Sequence, residues 1–434
     1  MRALISAVAL SLLALPAAAQ TNEHALAASA AAELESLCRA DGGRLWGASL
    51  CGPLIVVNPS TREAWATVRD NEGVFTLTPS GGWIGVLPQG VPIANTTVKW
   101  GGQRWIMVMG PLPADVIERR ALIMHEAWHR AQESIGLPMQ NTSAAHLETE
   151  RGRYLMRLEM RALSTAMLST GRARRNAAKD ALAFRAERLA SFPEAQAAEA
   201  GLDRNEGLAS YTGIKLGVSE DLAPVFAART LTAYDDHDAL ARSYAYATGP
   251  AYGLLLDEYL PNWRSTLAAW APADLLVSPI RAQLLNARAL QRQADRYGGA
   301  QIAAQERDRA EQQRQLIAGL RARFAEGPRL VLPLAQMQFE FDPNGVTPVE
   351  GLGTVYQTLT IRDAWGELRA NDGALISPNF DQLTASSPGP GGLSGRGWAL
   401  TLAPGYRIGG PDAQGVIRPE PITAPPPATP HPDN

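Results

Sequence analysis

Apolar positions recur with two different periods along this chain, and the changes between them mark its regions. Residues 21 to about 37 carry an alanine-rich helical pattern. From residue 54 to 109 the pattern shortens to runs rich in Val, Ile, Thr and Trp, at 54–57, 64–68, 74–77 and 83–87. Asn-Pro, Asn-Glu-Gly and Ser-Gly-Gly breaks separate these runs, which predicts strands joined by turns. Residues 97–100 and 104–109 flank Gly101-Gly102 and predict a tight hairpin. A mainly antiparallel sheet is expected here.

Pro111-Leu112-Pro113 ends the last of these strands. Asp115 then stands as an N-cap, with Glu118 in position to complete a capping box. A helix is expected over residues 116–135, stopping at Gly136. Residues 143–324 are helical in pattern, with breaks at Ser169-Thr170-Gly171, Phe192-Pro193, Gly217, Gly249-Pro250, Pro261 and Gly298-Gly299. The arginine-rich stretch 302–325, with regular leucines, reads as an exposed helix packing by one face. Beyond Pro328 the texture turns to glycine, proline and alternation, which predicts a small β domain over residues 328–418. Residues 419–434 are proline-rich and read as a disordered tail.

Composition narrows the picture without naming a partner. At 434 residues, 46% hydrophobic and 19% charged, the chain has room for two or three globular domains. A net charge of -3 gives no electrostatic case for nucleic acid or an anionic membrane. Residues 1–20 have the form of an export signal: Arg2, a short apolar stretch to Leu15, a helix-breaking Pro16, and Ala17-Ala18-Ala19 for cleavage. The stretch is too short to span a bilayer, and no other segment qualifies, so no integral membrane segment is expected after cleavage. A periplasmic or secreted location is therefore expected. The two cysteines, Cys38 and Cys51, should then form a disulfide within an N-terminal helix-plus-sheet region, residues 21–113. Closing so short a loop contributes about 3 kcal/mol.

The chemistry lies in His125-Glu126-Ala127-Trp128-His129, inside the helix expected at 116–135. Histidines four apart on a helix project from one face and can chelate one ion, for which Zn2+ is the expected cofactor. Glu126 directly follows the first histidine, where it can serve as general base on a water and as acid to a leaving amine. The plainer alternative is two surface histidines and a salt-bridging glutamate. A third ligand is needed, and Asn205-Glu206-Gly207-Leu208-Ala209 offers one. That segment resembles the third-ligand stretch of the gluzincin HExxH peptidases, which include the thermolysin and alanyl-aminopeptidase families. The resemblance covers the two motifs and the order of sheet then helices, about a third of the chain.

In that group the glutamate lies on a second helix packed against the motif helix, and small residues such as Gly207 and Ala209 permit the close approach. The resemblance implies a helical gluzincin core over residues 114–327 and an α+β fold overall. Choosing Glu206 requires residues 143–192 to form an inserted helical hairpin. Glu148 falls at the spacing from His129 that the aminopeptidases use, and Glu159 is a third candidate, set among apolar neighbours and arginines. Tyr246, in a Tyr-x-x-Gly segment ending at Gly249, is similar to a segment downstream of the third ligand in related peptidases and is a candidate oxyanion donor. Gluzincins hold an extended substrate along a sheet edge, for which residues 105–109 are the expected strand. No Gly-Ala-Met-Glu-Asn motif for capturing an amino terminus is present. The function implied is zinc-dependent hydrolysis of a peptide or protein substrate. The alternative is a non-catalytic envelope binding or scaffold protein that keeps the zinc-site fold.

Overall fold

Helix α1 (Leu15–Asp41) opens the computed structural model, which describes residues 15–140, 142–267, 271–342 and 345–422. Residues 1–14 of the expected export signal lie outside the described residues. Pro16 lies within α1, and most of the apolar stretch it is expected to end lies outside the described residues. Among the described residues no helix is long and apolar enough to cross a membrane. Two units can be distinguished, one reaching Arg307 and the other beginning at Asp308, within a long helix.

The first unit holds a six-stranded sheet. Its strands are β1 (Leu54–Val57), β2 (Glu63–Ala66), β3 (Thr76–Leu77), β4 (Trp83–Val86), β5 (Thr96–Trp100) and β6 (Gln103–Met109), in the order β3-β4-β2-β1-β6-β5. Every neighbouring pair is antiparallel except β1 with β6, which run parallel with Leu54 opposite Ile106. Alternation along β6 gives the sheet two apolar faces. Ile106 and Val108 join the helical core with Ile123, Met124, Ala127 and Trp128. Trp105 and Met107 join Ile55, Val57, Phe75 and Val98 in a second core on the other face.

Helix α2 (Val116–Ala131) comes after the sheet and packs on β5 and β6. It ends before Gly136; hydrogen-bonded turns carry the chain on to that glycine, whose φ of +83° suits it to close them. Helices α3 (Glu150–Met167) and α4 (Gly171–Ser191) then form the hairpin inserted between the motif helix and the segment that carries Glu206. Next come α5 (Ala195–Leu202), a π turn at Asp203–Gly207 and α6 (Leu208–Gly217), wound continuously. They lead to α7 (Ala223–Tyr234) and α8 (Leu240–Tyr259). The break expected at Gly249-Pro250 does not occur, because both residues lie inside α8. Gly249 is there for packing: a Cβ on it would stand 2.2 Å from Gly207 Cα. Helices α9 (Pro272–Ile280), α10 (Ala287–Arg296) and α11 (Gly299–Ala325) complete the helical region, with the expected break at Gly298-Gly299.

The second unit is a β domain with one six-stranded and one five-stranded sheet. Leu330, Leu332, Ile361, Trp365, Leu368 and Trp398 are buried in its core. Proline content alone overextends the tail: Pro419–Pro421 pairs antiparallel with Tyr406–Ile408, since an edge strand tolerates the missing donors. Residues 423–434 of the expected tail lie outside the described residues. The chain is thus α+β, with one helix and a sheet before its run of helices and a β domain after them.

Candidate metal centre

The motif helix is fastened at its start and along its back. Asp115 accepts from the backbone N–H groups of Ile117 and Glu118, each at 2.9 Å, and so caps α2. Glu118 does not complete a capping box; its carboxylate pairs with Arg229, at 2.5 Å. Cys38 and Cys51 are disulfide-bonded, and the loop they close carries Trp46, whose ring lies 4.4 Å from that of Trp128. Arg130 donates to the carbonyls of Cys51 and Arg104, both at 3.0 Å. The disulfide loop therefore braces the helix on which the two histidines stand.

Helix α6 comes very close to α2, through glycines other than those expected. A Cβ on Gly213 would lie 2.3 Å from the Ala121 carbonyl oxygen, and one on Gly217 would lie 2.8 Å from Ala121 N. Gly207, given that role from the sequence, faces Gly249 on α8 instead. The close crossing brings the π turn, with Glu206 in it, over the two histidines.

There His125 Nε2 and His129 Nε2 stand 3.1 Å apart. Glu206 Oε2 lies 3.3 Å from the first and 3.5 Å from the second. All three potential ligand atoms fall within 4.8 Å of one another. A hydrogen bond behind His129 fixes its tautomer. His129 Nδ1 lies 3.1 Å from Gln132 Oε1, which can only accept, so the proton is on Nδ1 and the Nε2 lone pair faces inward. Gln132 Nε2 donates to Asn205 Oδ1 at 3.0 Å, and Asn205 Nδ2 donates to Glu206 Oε1 at 2.9 Å. This amide relay occupies Oε1 and leaves Oε2 for the histidines. His125 Nδ1 is 3.1 Å from Ser210 Oγ.

Glu126 is buried beside them, with Oε1 3.9 Å from His125 Nε2. Its Oε2 and that of Glu206 are buried without a hydrogen-bond partner among the described residues. Burial pushes the Glu126 carboxyl above its ordinary value, against the pull of the two imidazoles. For Glu206 burial acts the same way, but the two imidazoles outweigh it and hold the carboxyl well below the usual range. Burial lowers the His129 imidazole, and Glu206 and Glu126 more than reverse that, so it stands above its ordinary value. Tyr246 stacks on His125, centroids 5.3 Å apart and planes 7° from parallel. Burial and the Glu206 carboxylate push its phenol far up, which keeps it a neutral donor.

The other two candidates for third ligand are elsewhere. Glu148 is exposed at the end of the short helix Ala145–Glu148. Glu159 is fully buried, 2.5 Å from Arg188 and 2.6 Å from the Tyr252 hydroxyl. The cluster opens into a cleft of about 320 Å3 that Leu122, Ile214, Phe226, Thr230 and Tyr234 help to line, with no Lys or Arg among the described residues of its wall. The strand at the cleft is a correction. β6 is an interior strand, because β1 returns to pair with its second edge, and the free edge belongs to β5. Asn95 and Thr96, at the start of β5, line the cleft.

Sequence reasoning does not single out Gln132, Ser210 or Tyr234. Gln132 stands three residues after His129 and Ser210 four after Glu206, a spacing that shares a helix face and could have signalled both. Tyr234, at the end of α7, leaves no such local sign. Comparison of the chain with protein-family models, with curated proteins and with solved structures finds no match.

Proposed function

We propose that this chain is an exported zinc-dependent metallopeptidase, with His125, His129 and Glu206 as metal ligands and Glu126 as general base and acid. The observation that carries the reading is the convergence of two imidazole nitrogens and a carboxylate oxygen within 4.8 Å, beside a second buried carboxylate oxygen without a hydrogen-bond partner among the described residues. Two histidines and a glutamate are a donor set that suits zinc and leaves a coordination position open. Charge argues the same way: Glu126 and Glu206 face a cleft that no Lys or Arg among the described residues lines, and a dication would balance them. When bound, zinc supplies Lewis-acid polarisation of a carbonyl and makes water nucleophilic at neutral pH.

The chain's own groups would do the rest. Glu126 accepts the proton of the attacking water at its free carboxylate oxygen and delivers it to the departing amide nitrogen. Its burial-raised affinity for protons suits it to hold that proton between the two steps. Tyr246, stacked on His125 and kept neutral, donates to the oxygen on which negative charge develops. An extended peptide would add to the free edge of β5, with the apolar wall of Leu122, Ile214 and Phe226 for a side chain. The Cys38–Cys51 disulfide supports an oxidising compartment.

Zinc content of the purified protein is the test, with His129→Ala and Glu206→Ala alongside. About one zinc per chain is expected, lost in both variants. Glu126→Gln should keep the metal and cut turnover of a peptide library by roughly 10²- to 10⁴-fold. A folded, zinc-reconstituted wild type that holds no metal would sink the reading, and retained zinc with no turnover would turn it into the scaffold alternative.

A further inference from the structure

Glu206 does not stand on a regular helix. It lies inside the π turn Asp203–Gly207, closed by Leu208 N–H donating to the Asp203 carbonyl. Such single turns recur at functional sites because they redirect one or two side chains without ending the helix. Helix α8 grips this turn at both ends. At its start, the Tyr244 hydroxyl lies 3.0 Å from Asp203 Oδ1 and 3.0 Å from the Glu199 carbonyl oxygen. Arg185, reaching across from α4, donates from Nη2 to Asp203 Oδ2 at 2.8 Å. At its end, Gly207 rests against Gly249. Between these two grips, one turn of α8 also delivers Tyr246 to the face of His125.

Arg185, Asp203 and Tyr244 are all buried, and none of them lines the cleft. They cannot touch a substrate there. Asp203 is nevertheless one helical turn from Glu206, and both its carboxylate oxygens are taken by groups from other helices. A carboxylate used only to satisfy its neighbours would not need partners on two elements at the point where the winding changes.

We infer that Tyr244 and Asp203, backed by Arg185, are positioning residues: they set the direction in which Glu206 leaves the π turn, and so the geometry of the three ligand atoms. The inference rests on the zinc reading above. A matched control lies on the same helix. Tyr252 is as deeply buried as Tyr244, and its hydroxyl serves Glu159 on α3 instead of a residue of the π turn.

The experiment compares Tyr244→Phe with Tyr252→Phe in the full chain. Zinc affinity is read by competition with a chelator, ligand geometry by the visible spectrum of the cobalt-substituted protein, and folding by thermal melting. Both variants should melt lower. Only Tyr244→Phe should lose zinc affinity, by about 10- to 100-fold, and change the cobalt spectrum. Unchanged affinity and spectrum in a folded Tyr244→Phe would overturn the inference, as would equal losses in both variants. Should Tyr244→Phe fail to fold, Asp203→Asn gives up the charged bond to Arg185 at constant size and is read in the same way. A wild type without zinc overturns this inference and the peptidase reading together; tight wild-type binding with an unaffected Tyr244→Phe overturns this one alone.

Discussion

Two buried clusters of charged groups adjoin along α5, the π turn and α6, and they are neutralised differently. In the first, each carboxylate meets a guanidinium. Glu159 lies 2.5 Å from Arg188 Nη1, and Glu199 takes Arg188 Nε at 2.7 Å and His146 Nε2 at 2.7 Å. Asp203 takes Arg185. In the second, Glu126 and Glu206 face two histidines, and among the described residues no Lys or Arg lines their cleft. Burying a charge is tolerable when it is paired. The enclosed cluster is charge-paired within the protein, and the open one would be balanced by the proposed cation. That contrast, more than the motif itself, separates a functional constellation from a structural one.

The comparison breaks most visibly at Arg188. Arg188→Met leaves Glu159 buried with the Tyr252 hydroxyl alone among the described residues and Glu199 with Arg185 and His146, and should cost about 3–5 kcal/mol in urea unfolding. Zinc at a thousand times its dissociation constant should still add about 4 kcal/mol to that variant, as to wild type. Glu206→Gln should do the reverse, losing most of the zinc increment while the enclosed cluster stays intact. Equal zinc increments in wild type and Glu206→Gln would mean that the open cluster is not where the cation goes. Acid tests the ion pairing of the enclosed cluster. Burial alone would raise the Glu199 carboxyl, but Arg188 and Arg185 hold it well below its ordinary 4.5. A depressed folded-state value means stability that is present above pH 4.5 and lost as the pH falls below it. Melting temperature should therefore drop on acidification below 4.5, with a shallower slope in Glu199→Gln.

A smaller effect is expected behind the ligands. Gln132→Leu keeps the volume but cuts the relay from His129 to Asn205 and Glu206, freeing the His129 tautomer. Zinc affinity should fall by about 10- to 100-fold. A Gln132→Leu protein that binds zinc as wild type does would show that the π turn orients Glu206 without the relay.

How far the sequence reaches depends on how local each feature is. His125, Glu126, His129 and the Asp115 cap follow from helical spacing within α2, and the Gly101-Gly102 hairpin from its turn. Glu206 is separable from Glu148 and Glu159 by its small-residue context, although Gly207 serves another interface in the fold. Nothing local says that β1 will return to pair with β6, so sequence reasoning puts the free edge on the wrong strand. Pro250 reads as a break because its cost inside a helix is local, while the Gly249–Gly207 packing that accompanies it is not. The enclosed cluster is invisible for the same reason: its members come from α3, α4, α5, the π turn and α8, and arginines scattered through helices read as solvated faces.

The finest test of the contrast is Ser210. Its hydroxyl orients His125 as Gln132 orients His129, but Ser210 lines the cleft whereas Gln132 is buried. When Ser210→Ala removes the hydroxyl, a water from the cleft can take the Nδ1 proton at little cost. No water can reach the corresponding position at Gln132 without opening the relay. Zinc affinity in Ser210→Ala should accordingly fall less than about 10-fold, below the range expected of a ligand's orienting partner. A loss as large as that of Gln132→Leu would mean that the wall around His125 is as closed as the one around His129, and that exposure is not what divides the two sides of the site.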